Sequence, residues 1–259
     1  MLPEVPLEPY FLLAIAALLA GLLDAIVGGG GLIQVPALFG VYPNAAPAAL
    51  FGTNKLSSIF GTAFAAKTYL KTVVIDYALV LPATVAALIF GFVGAWAMSA
   101  VPAELFRKLL PCILALVALH VFRHRDFGTG ATRGMQGKPR LVAAVLVGAV
   151  IGFYDGFFGP GTGSFLVFLL VRIFGYDFLE ASAAAKIINV ACNLAALAWL
   201  IPTTQPIWAV AVVMAAFNVL GSWLGTRLAI KEGARFVRRT FLAVVLALIA
   251  KTAWDAFGN

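Results

Sequence analysis

The same pattern occurs twice in the chain, first as Gly21-Leu22-Leu23-Asp24-Ala25-Ile26-Val27-Gly28-Gly29-Gly30-Gly31 and again as Gly152-Phe153-Tyr154-Asp155-Gly156-Phe157-Phe158-Gly159-Pro160-Gly161-Thr162-Gly163. In each copy an aspartate precedes a cluster of glycines by four residues, in an otherwise apolar stretch. Glycines this close together favour a break in a helix. Inside a bilayer such a break must line a cavity or bind a ligand, because lipid cannot hydrogen-bond to the freed backbone groups.

One offset, the 131 residues from Asp24 to Asp155, relates positions far beyond these two stretches. Matches at a single spacing along most of a unit indicate a duplication. We predict a single membrane domain over 1–259, with internal repeats 10–125 and 141–256 joined by a basic cytoplasmic loop, 123–140. The residues paired by the offset include Lys55 with Lys186, Gly94 with Gly225, and Arg107 with Arg238.

The composition excludes an ordinary soluble protein. Hydrophobic residues make up 63% of the chain and charged residues 11%, with a mean hydropathy of +1.01, whereas soluble domains have about 25% charged residues. One crossing of a bilayer takes about 20 apolar residues. We therefore predict an all-α polytopic protein of the cell inner membrane. The apolar stretches are Phe11–Val27, Ala48–Ala66, Tyr77–Ala100, Leu109–Phe122, Leu141–Phe158, Ala181–Ile201, Ile207–Leu228 and Phe241–Trp254.

Corresponding loops of the two halves differ in basic residues. The loop near Lys67 and Lys71 is basic, but its counterpart, 202–206, has no charge. The loop over 100–108 has two basic residues, and its counterpart over 227–239 has five. Because Lys and Arg concentrate in cytoplasmic loops, corresponding loops are predicted to face opposite sides, and the two repeats to be inverted.

Inversion requires an odd number of crossings in each half. Each half has four long apolar stretches, so the fifth crossing is predicted to be a short half-helix after each glycine cluster, Gly31–Gly40 and Gly163–Phe174. Both termini are then external. The alternative, eight helices in two parallel halves, leaves one of the two main basic loops outside. The inverted arrangement places these basic residues inside: Lys67, Lys71, Arg123, Arg125, Arg133, Lys138, Arg140, Arg172, Arg227, Lys231, Arg235, Arg238 and Arg239.

Broken helices at matching places in two inverted repeats are typical of a transporter site near the bilayer midplane. The half-helix after each break presents its positive N-terminal end to an anion, which glycine allows to approach the backbone closely. The next long helix of each half carries polar residues at i, i+3 and i+7, which share one face. The predicted substrate-binding residues are Gly29, Gly30, Gly31, Asn54, Lys55, Ser58, Thr62, Gly161, Thr162, Gly163, Lys186, Asn189 and Asn193.

Lys55 and Lys186 lie deep within their predicted helices. A cation there costs about 2.5–3.5 kcal/mol, so such residues face a wet or protein-lined interior. One interpretation is that they bind an anion, with Asp24 and Asp155 as proton carriers. The other is that they form structural ion pairs within each half, Asp24 with Lys55 and Asp155 with Lys186. The sequence leaves both open.

Other chemistry has little support in the sequence. Cys112 and Cys192 lie in apolar stretches, and His120 and His124 lie together at the end of one, without the further ligands that a metal site needs. We expect no enzyme activity, no catalytic residues, no metal and no cofactor. The net charge of +7 is explained by membrane topology, so no nucleic-acid partner is expected.

Taken together, the paired motifs resemble the sulfite exporter TauE/SafE family. The resemblance covers essentially the whole chain and rests on the two patterns quoted above, on Gly52-Thr53-Asn54-Lys55, and on Ala184-Ala185-Lys186-x-x-Asn189-x-x-x-Asn193. It implies export of sulfur-containing or related organic anions, such as sulfite and sulfoacetate. Ala184-Ala185 in place of Thr53-Asn54, together with Pro160 in the second glycine cluster, indicates an asymmetric site.

These observations together predict a secondary transporter, in the export direction, for sulfite or organosulfonates, working by alternating access with proton coupling as an option. The alternatives are an anion channel and a structural membrane subunit that transports nothing. The expected partners are a small anionic substrate and the lipid bilayer. Two motifs, Gly91-x-x-Gly94 and Gly221-x-x-x-Gly225, fit packing either within one bundle or between the protomers of a homodimer.

Overall fold

The computed structural model describes residues 7–106 and 137–257, with the side chains of 8–106, 137–233, 236 and 239. In these ranges the regular structure is helical and contains no strand, so the predicted all-α class is confirmed. Five of the helices are long and apolar enough to cross a membrane. The helices are α1 (Leu7–Val27), α2 (Gly31–Val41), α3 (Pro47–Tyr69), α4 (Tyr77–Ser99), α5 (Lys138–Phe157), α6 (Thr162–Phe174), α7 (Phe178–Thr203) and α8 (Trp208–Phe257).

Most predicted stretches are helices. The two short segments form α2, of 11 residues, and α6, of 13 residues, each directly after a glycine break. The helix α3 is less apolar than the five long candidates because its buried face is polar, including Thr53, Asn54 and Lys55. The helix α8 changes direction at Gly233, where φ is 73°. The predicted span Leu109–Phe122, residues 123–136 of the basic loop and the chain ends lie outside the described residues.

Glycines let the long helices pack in two close pairs, α4 with α5 and α8 with α1. A Cβ on Gly156 would lie 2.0 Å from the carbonyl oxygen of Gly91, and one on Gly221 would lie 2.0 Å from that of Leu18. Such backbone contact is the usual role of small residues between membrane helices. The two glycine motifs that the sequence left open, containing Gly91 and Gly221, therefore pack inside this chain.

Two contacts, each between a helix and the segment before another helix, mark the two ends of the bundle. At one end Arg140, in the first turn of α5, forms an ion pair of 2.6 Å with Asp76, which precedes α4. At the other end Thr53 accepts a hydrogen bond of 2.9 Å from the backbone N–H of Ile207, before α8. Except for Lys55, Lys186 and Arg239, the described basic side chains lie towards the first end, which we call the basic end: Lys67, Lys71, Lys138, Arg140, Arg172, Arg227 and Lys231.

Tyr176 lies in the loop between α6 and α7, beside the Arg140–Asp76 ion pair. Burial raises the pKa of Tyr176 to about 12, and the Asp76 carboxylate adds to this effect. The phenol therefore remains protonated at physiological pH. Its buried hydroxyl has no hydrogen-bond partner in the described structure.

Candidate functional site

The two glycine breaks touch each other in the middle of the bundle. The carbonyl oxygen of Gly28 accepts a hydrogen bond of 3.1 Å from the N–H of Ser164. A Cβ on Gly28 would lie 2.3 Å from the carbonyl carbon of Gly163, and the φ of Gly28 is 81°. Only glycine combines this backbone conformation with so close an approach. The crossing of the two breaks therefore requires glycine at the point where they meet.

Each break is the tip of a helical hairpin, and the two hairpins start from opposite ends of the bundle. Tyr10, near the start of α1, packs in one cluster with Val41, the last residue of α2, and with Val210 near the start of α8. The hairpin of α5 and α6 starts at Arg140 and ends beside Tyr176, both at the basic end. The inversion of the complete repeats, which include residues 107–136, stays a prediction.

Side chains from other helices satisfy the carbonyl groups at the C-terminal end of α1. Tyr69 donates to the carbonyl of Ala25 at 2.9 Å, and Ser182 donates to that of Ile26 at 3.0 Å. Ser164 donates to the carbonyl of Val27 at 3.1 Å. The last carbonyls of any helix lack partners within the helix, so these three side chains supply the missing donors.

Two buried ion pairs flank the breaks, and each joins one half of the chain to the other. Lys55 of α3 pairs with Asp155 of α5, and Lys186 of α7 pairs with Asp24 of α1 at 2.9 Å. The within-half pairing that we considered, Asp24 with Lys55 and Asp155 with Lys186, is therefore wrong. The partners are exchanged because the two hairpin tips cross, which brings each aspartate beside the lysine of the other half.

These pairs are almost inaccessible to water. The side chains of Lys55 and Asp155 are 3% and 2% exposed, and those of Lys186 and Asp24 are 1% and 14% exposed. A buried charge without a partner is strongly unfavourable, and pairing offsets much of that cost. The arrangement keeps four charges in the middle of a membrane domain with no net charge among them.

A small polar cavity of about 20 Å³ lies between the breaks and α3, α5 and α7. This volume accommodates about one water molecule. Three predicted site residues, Gly29, Gly30 and Lys186, do not line it. The structure does bring the other predicted residues together around it, along with Gly28 and Gly159: Asp24, Gly31, Asn54, Lys55, Ser58, Thr62, Asp155, Gly161, Thr162, Gly163, Asn189 and Asn193.

The polar faces of α3 and α7 differ in the hydrogen bonds that their side chains form. Thr62 donates to Asp24 at 3.2 Å, and Asn193 donates to Asn189 at 3.3 Å. Asn54 is buried, and its side-chain oxygen has no hydrogen-bond partner among the described residues. Asn54 therefore has an unused hydrogen-bond acceptor at the edge of the cavity.

The sequence interpretation missed Gln34, which lies on α2 and is fully buried. Its side-chain amide donates to Ser57 at 3.4 Å, and its carbonyl oxygen accepts a bond from Ser58 at 3.2 Å. A signal was present, because Gln34 is the one polar side chain in the short helix Gly31–Val41. Tyr69, Ser164 and Ser182 were also missed. They bond to backbone carbonyls of a distant segment, and no spacing in the sequence indicates such contacts.

Comparisons with known proteins give a consistent picture. The family model described as sulfite exporter TauE/SafE matches residues 13–252. A probable membrane transporter protein of Escherichia coli K12, YfcA, is 32% identical over 247 residues, covering 94% of this chain and 89% of its own. A probable membrane transporter protein of Haemophilus influenzae is 31% identical over 236 residues, covering 91% of each chain. No solved structure gives a significant match.

Proposed function

This chain belongs to the sulfite exporter TauE/SafE family of membrane transporters, and on that premise we propose that it is a secondary transporter that exports small anions such as sulfite or organosulfonates. The observation that carries the proposal is the buried lysine Lys55, which lines a polar cavity between two crossing helix breaks. A lysine ammonium and free backbone N–H groups are the donors that sulfite and sulfonate oxygens require. We expect no catalytic step on the substrate.

Alternating access is the transport mechanism that these contacts support best. The central cavity of about 20 Å³ is too small for sulfite, so the substrate enters only when the surrounding elements separate. The hairpin tips and the two ion pairs all join one half of the chain to the other. Rocking of one half against the other opens the cavity to one side at a time. A permanently open channel is inconsistent with these contacts, which close the centre of the bundle.

The central experiment measures uptake of labelled sulfite and sulfoacetate into liposomes that contain the purified protein, with and without a pH gradient. We expect the wild type to transport at least one of the two anions. Lys55→Gln should lower the rate at least about 10-fold per folded molecule, because a charge-assisted hydrogen bond to the anion is lost. A response to the pH gradient would support proton coupling.

Lys67→Gln is the matched control, since Lys67 lies on the same helix α3 but is exposed, and its transport should equal that of the wild type. The amount of folded protein is measured by size-exclusion chromatography before reconstitution. If the wild type transports neither anion, the proposed substrate class is wrong. If folded Lys55→Gln transports as fast as Lys67→Gln, the lysine does not take part in transport.

We propose that the protein lies in the inner membrane with its basic end in the cytoplasm, where Lys and Arg concentrate. Single cysteines at Lys71, near the basic end, and at Thr203, near the other end, test this in a background carrying Cys112→Ala and Cys192→Ala. Both positions are exposed. In intact spheroplasts a membrane-impermeant maleimide should label Thr203→Cys only. Lys71→Cys should react after permeabilisation, and the reverse pattern would refute this orientation.

A further inference from the structure

The two ion pairs differ in their access to the central cavity. Lys55 and Asp155 both line it, whereas of the other pair only Asp24 does. Lys186 is 1% exposed and is bonded to Asp24. An anion that enters when the cavity opens therefore meets the ammonium group of Lys55 in the cavity wall, but not that of Lys186.

The two carboxylates also differ in how firmly they are held. Asp24 accepts hydrogen bonds from two donors, Lys186 at 2.9 Å and Thr62 at 3.2 Å. Asp155 accepts a side-chain hydrogen bond from Lys55 alone, within the described part of the chain. Releasing the Asp155 carboxylate thus breaks one side-chain hydrogen bond, and releasing that of Asp24 breaks two.

A further side chain that can donate to an anion here adjoins Lys55. Asn54 precedes Lys55, lines the cavity and carries a side-chain NH2 group that can donate to an anion, whereas its counterpart in the second half is Ala185. Gly161, Thr162 and Gly163, at the start of α6, line the cavity, whereas α2 contributes only Gly31. The start of α6 has no side-chain cap. The N–H groups of Thr162 and Ser164 are bonded to the carbonyls of Gly159 and Gly28, which leaves the Gly163 N–H, without a partner in the described residues, for a ligand.

The second glycine break lies directly against the side chain of Lys55. Gly159 is so close that a Cβ added there would lie 3.3 Å from the Lys55 Nζ atom. Glycine at this position therefore lets the second break approach the ammonium group closely. Lys186 is not among the nearest neighbours of an added Cβ at any described glycine.

From these differences, and resting on the proposed function, we propose that the two pairs have separate roles. Lys55 binds the substrate anion together with Asn54 and the start of α6, and its pair with Asp155 opens in each transport cycle. The Lys186–Asp24 pair stays closed throughout and holds α7 against α1, with Thr62 as a third member. The duplicated chain then has one anion site rather than two.

Two double variants test this, because they remove equivalent pairs from the two halves. Lys55→Gln/Asp155→Asn and Asp24→Asn/Lys186→Gln each replace both charges by amides of similar size, so neither leaves a buried charge without a partner. Sulfite uptake by liposomes is measured over a range of concentrations. Sulfite-induced stabilisation against heat is measured in detergent as a readout that does not depend on transport.

We expect Lys55→Gln/Asp155→Asn to raise the half-saturating sulfite concentration about 30-fold and to lose the thermal stabilisation, since its charge-assisted bond to the anion is gone. Asp24→Asn/Lys186→Gln should stay within about 3-fold of the wild type, because hydrogen bonds to amides can replace a closed pair. Asn54→Ala, which copies Ala185 of the second half, should raise the half-saturating concentration about 10-fold with an unchanged maximal rate.

Equal losses in the two double variants would overturn this assignment, as would an unchanged half-saturating concentration in Lys55→Gln/Asp155→Asn. In both cases the wild type still transports sulfite, so the proposed function stands. If the wild type neither transports sulfite nor is stabilised by it, the proposed substrate class fails first. The two failures are thus distinguished by the wild type alone.

Discussion

Gly28→Ala is expected to yield little or no folded protein. The φ of Gly28 is 81°, and its Cβ would lie 2.3 Å from the backbone of Gly163. A residue with a Cβ costs about 1–2 kcal/mol in the left-handed region, and forcing the breaks apart typically costs about 1–3 kcal/mol more. The hairpin tips would separate, and with them the segments that hold Asp24 and Asp155. The measurement is the monodisperse fraction and the melting temperature by fluorescence-detected size-exclusion chromatography.

Gly31→Ala is the matched control, three residues later in the same break. Its Cβ would lie 3.2 Å from the Cα of Pro160, and its φ is not in the left-handed region. We expect its stability to change by less than about 1 kcal/mol. A Gly28→Ala protein as stable as Gly31→Ala would contradict the crossing of the two breaks.

Lys55→Ala is expected to destabilise the protein by about 3–5 kcal/mol, because the Asp155 carboxylate stays buried without its partner. Adding Asp155→Asn removes that stranded charge and should restore most of the stability. The loss corresponds to a fall in melting temperature on the order of 10 °C. Thermal unfolding of the two variants and the wild type, in one detergent and at one pH, measures the effect.

Combining Lys55→Ala with Asp24→Asn distinguishes the crossed pairs from pairs within each half. In the crossed arrangement Asp24 belongs to Lys186, so this combination leaves two charges stranded and should be less stable than Lys55→Ala alone. Pairing within each half predicts the opposite, a rescue by Asp24→Asn and none by Asp155→Asn. That outcome would refute the crossed pairs.

The elements of the fold were largely predictable from the sequence. Apolar length and the glycine clusters gave the long helices and the two short ones, α2 and α6, because each depends on local composition. Hydropathy predicted α3 less clearly than the other long helices, because the polar residues of α3 face the centre of the bundle rather than lipid. Most of the predicted site residues surround one cavity, because side chains at i, i+3 and i+7 share a helix face.

The pairing of the charges was not predictable in the same way. Asp24 lies closer in sequence to Lys55 than to Lys186, and the repeat itself suggests two identical, self-contained halves. The crossing of the hairpin tips decides the partners, and that crossing depends on contacts between residues more than 100 positions apart. Gln34 was not predicted for a different reason: its hydrogen-bond partners lie on another helix, and no periodic pattern in the sequence links them to it.

The crossed pairs have a consequence for biosynthesis. Asp155 is made 100 residues after Lys55, and Lys186 is made 162 residues after Asp24. At about 5–20 residues per second, the ribosome adds 100 residues in roughly 5–20 seconds. During that time Asp24 and Lys55 are in the nascent protein without their final partners, and each is the nearest buried opposite charge available to the other. The final pairs form only when the second half is inserted, so the first half synthesised alone keeps two buried charges without these partners and should be retained by chaperones or degraded.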